Sequence, residues 1–348
     1  MLNRSIFSII LGIAILGLFG FSQSAFAAPY MLDNGPGDGT LMVGVDGFGA
    51  FGLSAGTDST NAFYDPVGAT GPTETTFESA IAIRTIDLIT GARSFLASGF
   101  IGSSGDLTNP TVTGSLTSGS STFSNSGLSF TLIQTLAPTF TGSSQTGTML
   151  TQIYTITSSV PFEIVRYIDG DLRFDTSLTD GGGRLILGDG TEILFETDSA
   201  TGSSTTTTFV GITGEGGTVP TSNRYEIDSF SGLRTRIISG DPLDNTITGD
   251  GGDADQFIDA GAGYDVTLAL RNTFPSGTSV YVTKTLFGSG APEDIQTSSP
   301  IGGTIIPIDA TSLLIAGFDK NSFSLLGALT LVGAVAFGAL YYTSKRKN

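Results

Sequence analysis

Two glycine-flanked runs of aspartate are the chain's clearest sites for chemistry. The first is Asp169-Gly170-Asp171, followed by Asp175, Asp180 and the glycines Gly181 to Gly183; the second holds Asp250, Asp253, Asp255, Asp259 and Asp265 between Thr248 and Leu268. Calcium takes about six to eight oxygen ligands, and closely spaced carboxylates on glycine-rich loops supply them. Candidate metal ligands are therefore Asp169, Asp171 and Asp175 in the first run and Asp250, Asp253, Asp255, Asp259 and Asp265 in the second, with Ca2+ as the expected ion. Neither run completes the aspartate series of an EF-hand loop. The plainer reading of the first run is turn chemistry, in which an aspartate bonds its own backbone, and that of the second is a solvated glycine-aspartate loop.

A second kind of chemistry needs only paired carboxylates. Glycoside hydrolysis uses two of them roughly 5–9.5 Å apart, and Glu163 with Glu192, or Glu192 with Glu196, are the pairs that adjacent strands would bring together. Most other catalytic groups are missing: the chain has no histidine, no cysteine and no tryptophan. Serine and cysteine triads lose their base, and zinc would have to be held by oxygen alone, which it rarely accepts. Without tryptophan there is also no indole platform for stacking a sugar. These absences favour a protein that is not an enzyme.

Acidic residues number 32 against 15 basic ones, a net charge of −17. A surface of that sign repels phosphate backbones, so no nucleic-acid partner is expected, while soluble cations are attracted. Solubility in a saline medium accounts for the acidity equally well. Because no disulfide can form, the fold must be held by its core and by any bound ions.

The elements that position these residues read as short strands. Apolar and polar residues alternate in 81–87, 129–136, 152–157 and 184–187, and further strands are expected at 192–196, 206–211, 224–230, 233–238, 265–270 and 279–287. Serine- and threonine-rich runs at 115–126 and 203–208 fit edge hairpins, loops or glycosylated surface. Frequent turns without crossover helices predict an all-β class, an antiparallel β-sandwich or a large two-sheet supersandwich.

Apolar stretches bracket this domain. Residues 1–27 have the charge, core and Ala25-Phe26-Ala27 site of a secretory signal peptide. An extracellular domain is expected over 28–295, a stalk over 296–322, an uncharged transmembrane helix over 323–342 and a basic cytoplasmic tail over 343–348. The membrane is thus an expected partner through the C-terminal helix, and a surface polymer or a neighbouring surface protein is a further candidate.

Three segments resemble known families. Ile308 to Gly317 (IDATSLLIAG), the apolar span and the closing SKRKN resemble the tripartite C-terminal signals of secreted, C-terminally anchored prokaryotic surface proteins, although no LPxTG or Pro-Glu-Pro motif is present. Gln152 to Asp175 resembles strand pairs of secreted prokaryotic β-sandwich modules and of the large sandwiches related to galactose mutarotase. Those enzymes depend on a histidine that this chain lacks. Ala260 to Leu268 is similar to the calcium-binding nonapeptide G-G-x-G-x-D-x-U-x: Gly261, Gly263 and Asp265 match, while Ala260 and Thr267 depart from it. With the missing catalytic groups, the expected protein is a non-enzymatic, membrane-anchored cell-surface protein with a structural or envelope role, for which the nonapeptide-like segment offers calcium stabilisation. An adhesive or glycan-binding module, or a carboxylate-based glycoside hydrolase, are the other readings.

Overall fold

The computed structural model describes residues 30–52, 61–86, 93–98, 111–125, 127–174, 177–198, 208–253, 255–289 and 292, all within the unit Met1–Ser298. The expected signal peptide, stalk, membrane span and basic tail, and Asp175, lie outside these residues. Among the described residues no helix is long and apolar enough to cross a membrane.

The architecture is all-β, with three antiparallel sheets. One has four strands in chain order: β1 (Tyr30–Asp33), β2 (Leu41–Val45), β3 (Ala62–Tyr64) and β4 (Thr73–Glu74). A five-stranded sheet runs β15 (Tyr225–Ser229), β16 (Val266–Phe274), β11 (Phe162–Gly170), β5 (Thr76–Ile86) and β6 (Arg93–Ser98). The eight-stranded sheet runs β12 (Gly181–Ile186), β13 (Glu192–Thr197), β14 (Phe209–Ile212), β17 (Gly277–Gly288), β10 (Ser144–Ser158), β9 (Leu128–Thr141), β8 (Ser118–Asn125) and β7 (Thr111–Ser115). Residues 115–126, read as hairpin, loop or glycosylated surface, prove largely to be strand, with β7 and β8 forming a hairpin at one edge of this sheet.

Period-two alternation explains the core. On β10 Leu150, Tyr154 and Ile156 are buried while their neighbours are less so, and β9 alternates in register with it. Phe123, Phe130, Leu132, Tyr154, Ile156 and Tyr281 of the eight-stranded sheet share one cluster with Ile81, Ile83, Phe162, Ile164 and Phe274 of the five-stranded sheet. A second cluster joins Leu136, Leu150 and Phe287 to Ile168, and the small sheet closes it with Leu41, Val43 and Tyr64.

Between these two clusters lies a polar seam. Gln134 and Gln152 stand opposite each other and are bonded at 2.7 Å, and Gln152 also donates to the Gly49 carbonyl. Arg166, fully enclosed on β11, directs all five of its N–H groups at oxygen: Thr283 and Thr285 hydroxyls on β17, the Ser79 hydroxyl, and the Ala80 and Tyr167 carbonyls. The seam ties the two larger sheets by hydrogen bonds at one fixed register.

The outer face of the five-stranded sheet is covered by a helix, α1 (Phe230–Ser239), whose Leu233 and Ile237 pack with Val165, Tyr167 and Ala269. This corrects the strand expected at 233–238. Leu233, Thr235 and Ile237 alternate as in a strand, yet Leu233 and Ile237 also lie four apart, on one helical face. Gly240 ends the helix at φ 83°, the left-handed stop that favours glycine. Arg84 lies at that end, its Nη1 donating to the Ile237 and Asp241 carbonyls.

Candidate functional site

Carboxylates from both aspartate-rich segments and two further strands meet at one end of the five-stranded sheet. Asp169 stands next to the end of β11, opposite Glu78 of β5, and Asp171 directly follows the strand. Asp265 immediately precedes β16, the other neighbour of β11. From the eight-stranded sheet come Glu196 of β13 and Asp180, which bridges to Tyr264 just before Asp265. Glu196 lies against the backbone of Gly170, so closely that any Cβ there would overlap its carboxylate.

The electrostatics are one-sided. Burial, reinforced by Asp180, Asp169 and Asp265, raises the Glu196 carboxyl well above its ordinary range. Asp169 is pushed up to about 9 by burial and by Asp265, Asp171 and Glu78. Asp171 is raised by burial against the opposing pull of Arg173, and Asp265 by partial burial. Two guanidiniums border the cluster: Arg234 of α1 on Glu78 at 2.5 Å, and Arg173 on Asp171 at 3.1 Å. Glu196 is wholly buried and its two oxygens receive no N–H or other hydroxyl; the carboxyl of Asp180 joins it only when a proton lies between them. Asp169 Oδ1 is likewise buried without a donor.

Asp265 thus joins Asp169 and Asp171 and leaves the rest of its own run behind. Asp250, Asp253 and Asp255 each turn Oδ1 back to the N–H two residues ahead, at 3.1, 3.1 and 2.8 Å. Asp259 packs its carboxylate against Gly251. Asp250, Asp253 and Asp255 therefore sit in turns of the Asx kind. Among the described residues no group of three or more acidic side chains is placed to hold a metal ion. The nonapeptide-like segment makes no roll, since Val266–Phe274 pairs antiparallel on both sides.

The Asp180–Glu196 pairing was missed from sequence, although the hairpin carries a signal for it. The turn at Gly188-Asp189-Gly190 sets Ile186 opposite Glu192, and counting back places Gly182 opposite Glu196, with Asp180 two residues further. What sequence does not supply is the packing of that hairpin against Gly170.

The two carboxylate pairs considered for hydrolysis do not form. Glu163, fully buried on β11, is held by Arg84 at 2.7 Å and Arg93 at 2.9 Å on one oxygen and by Arg271 at 2.8 Å on the other. Glu192 bridges Arg184 at 2.7 Å and Arg224 at 2.6 Å. It sits in the eight-stranded sheet, whereas Glu163 is in the five-stranded one. Glu192 and Glu196 lie four residues apart along β13, roughly 13 Å of extended chain, beyond glycosidase spacing. Asp180 and Glu196 lie within hydrogen-bonding reach of each other, but both are buried and neither lines an open cleft.

Two surface recesses are formed by described residues. One, of about 580 Å³, is lined by the loop Pro66 to Gly71 with Thr73, Arg173, Phe174, Thr208 and Ser289, and contains no carboxylate. The other, of about 510 Å³, lies beside α1, where Asp244 is bound to Arg236 and to Thr246.

No family model and no curated protein matches this chain. Among solved structures, a protein described as a kojibiose phosphorylase from the human microbiome is 8% identical with a TM-score of 0.32, over 79% of this chain and 31% of that one, so this chain spans about a third of its length. A GalM/aldose epimerase homologue from C. elegans is 8% identical with a TM-score of 0.35, over 76% of this chain and 99% of that one. At these scores neither likeness bears on what the chain binds or does.

Proposed function

We propose that the protein is a non-enzymatic cell-surface protein with a β-sandwich ectodomain, held by its C-terminal segment and serving a structural or envelope role. What supports this reading most is the use of its carboxylates. Glu163 is bound by three arginines and Glu192 by two, while Glu196 is sealed from solvent. Each is held by the fold, and none faces a second carboxylate across an open cleft. The acidic composition and the tripartite tail point the same way.

Proteolysis of intact cells, or of spheroplasts where an outer membrane shields the protein, tests the topology. The ectodomain is expected to be digested, leaving a short membrane-held tail fragment. Full protection in spheroplasts would reject the surface location, and polysaccharide hydrolysis by the purified protein, lost in Glu192→Gln, would reject the non-enzymatic role.

A further inference from the structure

We propose that the Asp180–Glu196 pair is the anchor of a divalent-cation site of the calcium class, with Asp169, Asp171 and Asp265 supplying the negative field around it. The acidic cluster alone would not require this. The second observation is the Glu196 side chain, fully buried and aimed into the cluster, with neither oxygen meeting a donor N–H; Asp169 Oδ1 shares that condition. A buried carboxylate without a donor and with like charges beside it is strongly disfavoured, and a cation relieves it as a shared proton does.

Gly170 lets the Glu196 side chain reach the cluster, because a Cβ there would overlap its carboxylate. Asp265 is exposed, placing part of the cluster in contact with solvent. Asp180 and Glu196 would be the fixed ligands of the proposed site, since no third acidic side chain among the described residues is placed to join them. Calcium accepts carbonyl and water oxygens for the remainder of its shell. The site differs from the turns at Asp250, Asp253 and Asp255, whose oxygens are engaged by their own backbone.

Calorimetric titration of calcium chloride into the chelator-treated full chain, with thermal unfolding in millimolar calcium and in chelator at matched ionic strength, tests the site. Saturable binding and a higher Tm in calcium are expected, because a ligand that binds only the folded state stabilises it. Glu196→Gln and Asp180→Asn should both lose the heat and the Tm rise, while Asp255→Asn keeps both. Circular dichroism establishes that the variants fold, and either variant suffices if the other does not. Equal melting of the unmodified chain in calcium and chelator would overturn the site. So would calcium binding that survives in both Glu196→Gln and Asp180→Asn, which would put the ion elsewhere. Neither result touches surface location or lack of hydrolysis, so the two proposals fail separately.

Discussion

Asp46, where β2 turns toward the Phe51 bridge, shows how a single carboxyl records the fold. Its Oδ1 accepts the N–H groups of Phe48 and Ala50, both at 2.8 Å. Those bonds favour the ionised form, yet enclosure outweighs them and raises the carboxyl from 3.8 to about 7. A folded value above the unfolded one means that the native state binds the proton more tightly. The stabilisation is complete below 3.8 and is lost as pH rises through about 7. Asp46→Asn, which keeps the accepting oxygen and removes the titration, should flatten the fall in Tm across that window; an unchanged slope would show that Asp46 does not contribute. At this scale sequence told much about the exposed residues. The spacing of Asp250, Asp253 and Asp255 among glycines was enough to suggest a solvated loop, and the structure adds the local bonds by which each aspartate holds its own backbone. Glu196 was legible only as a possible partner of Glu192, since its actual neighbours Asp180 and Gly170 depend on how separate strands pack.

The strands of the two larger sheets were mostly legible wherever one face is buried and the other is not. β9 and β10 alternate cleanly, and the segments expected at 129–136 and 152–157 fall inside them. β11 defeats the same test, being buried at every position between the eight-stranded sheet on one face and α1 on the other. The four-stranded sheet escaped notice because its strands are two to five residues long, too short to show a period. Two glycines on neighbouring elements separate a packing requirement from a turn requirement. At Gly170 a methyl group would enter the space of the Glu196 carboxylate, whereas at Gly188 no atom lies within 4 Å. Gly170→Ala should cost about 1–3 kcal/mol by overpacking, and Gly188→Ala should stay within about 0.5 kcal/mol of the unmodified chain. Equal stabilities in denaturant unfolding would contradict the contact between β11 and β13.

Across the whole described molecule, charged groups join strands that lie far apart in the chain. Arg166 crosses from β11 to β17 through the polar seam, and Glu192 of β13 reaches Arg224 at the start of the chain leading into β15. Shifting one strand by a residue would turn these groups away from their partners, so the same contacts that stabilise the sheets also fix their register. The all-β class was readable from turn spacing and from the lack of long helical periods. The pairing order, with β14 beside β17 and β11 between β5 and β16, was not, because it rests on contacts between segments separated by tens of residues. The proposed non-enzymatic role requires that Glu192 be held by this framework and not for catalysis, and this residue tests it most directly because both hydrolase pairings require it. Equilibrium unfolding of Glu192→Gln should show a single transition with an unchanged denaturant slope and a loss of about 1.5–3 kcal/mol, the scale of breaking hydrogen bonds to a charged group. Stability that is unchanged or raised, as when a carboxylate held for catalysis is removed, would contradict it.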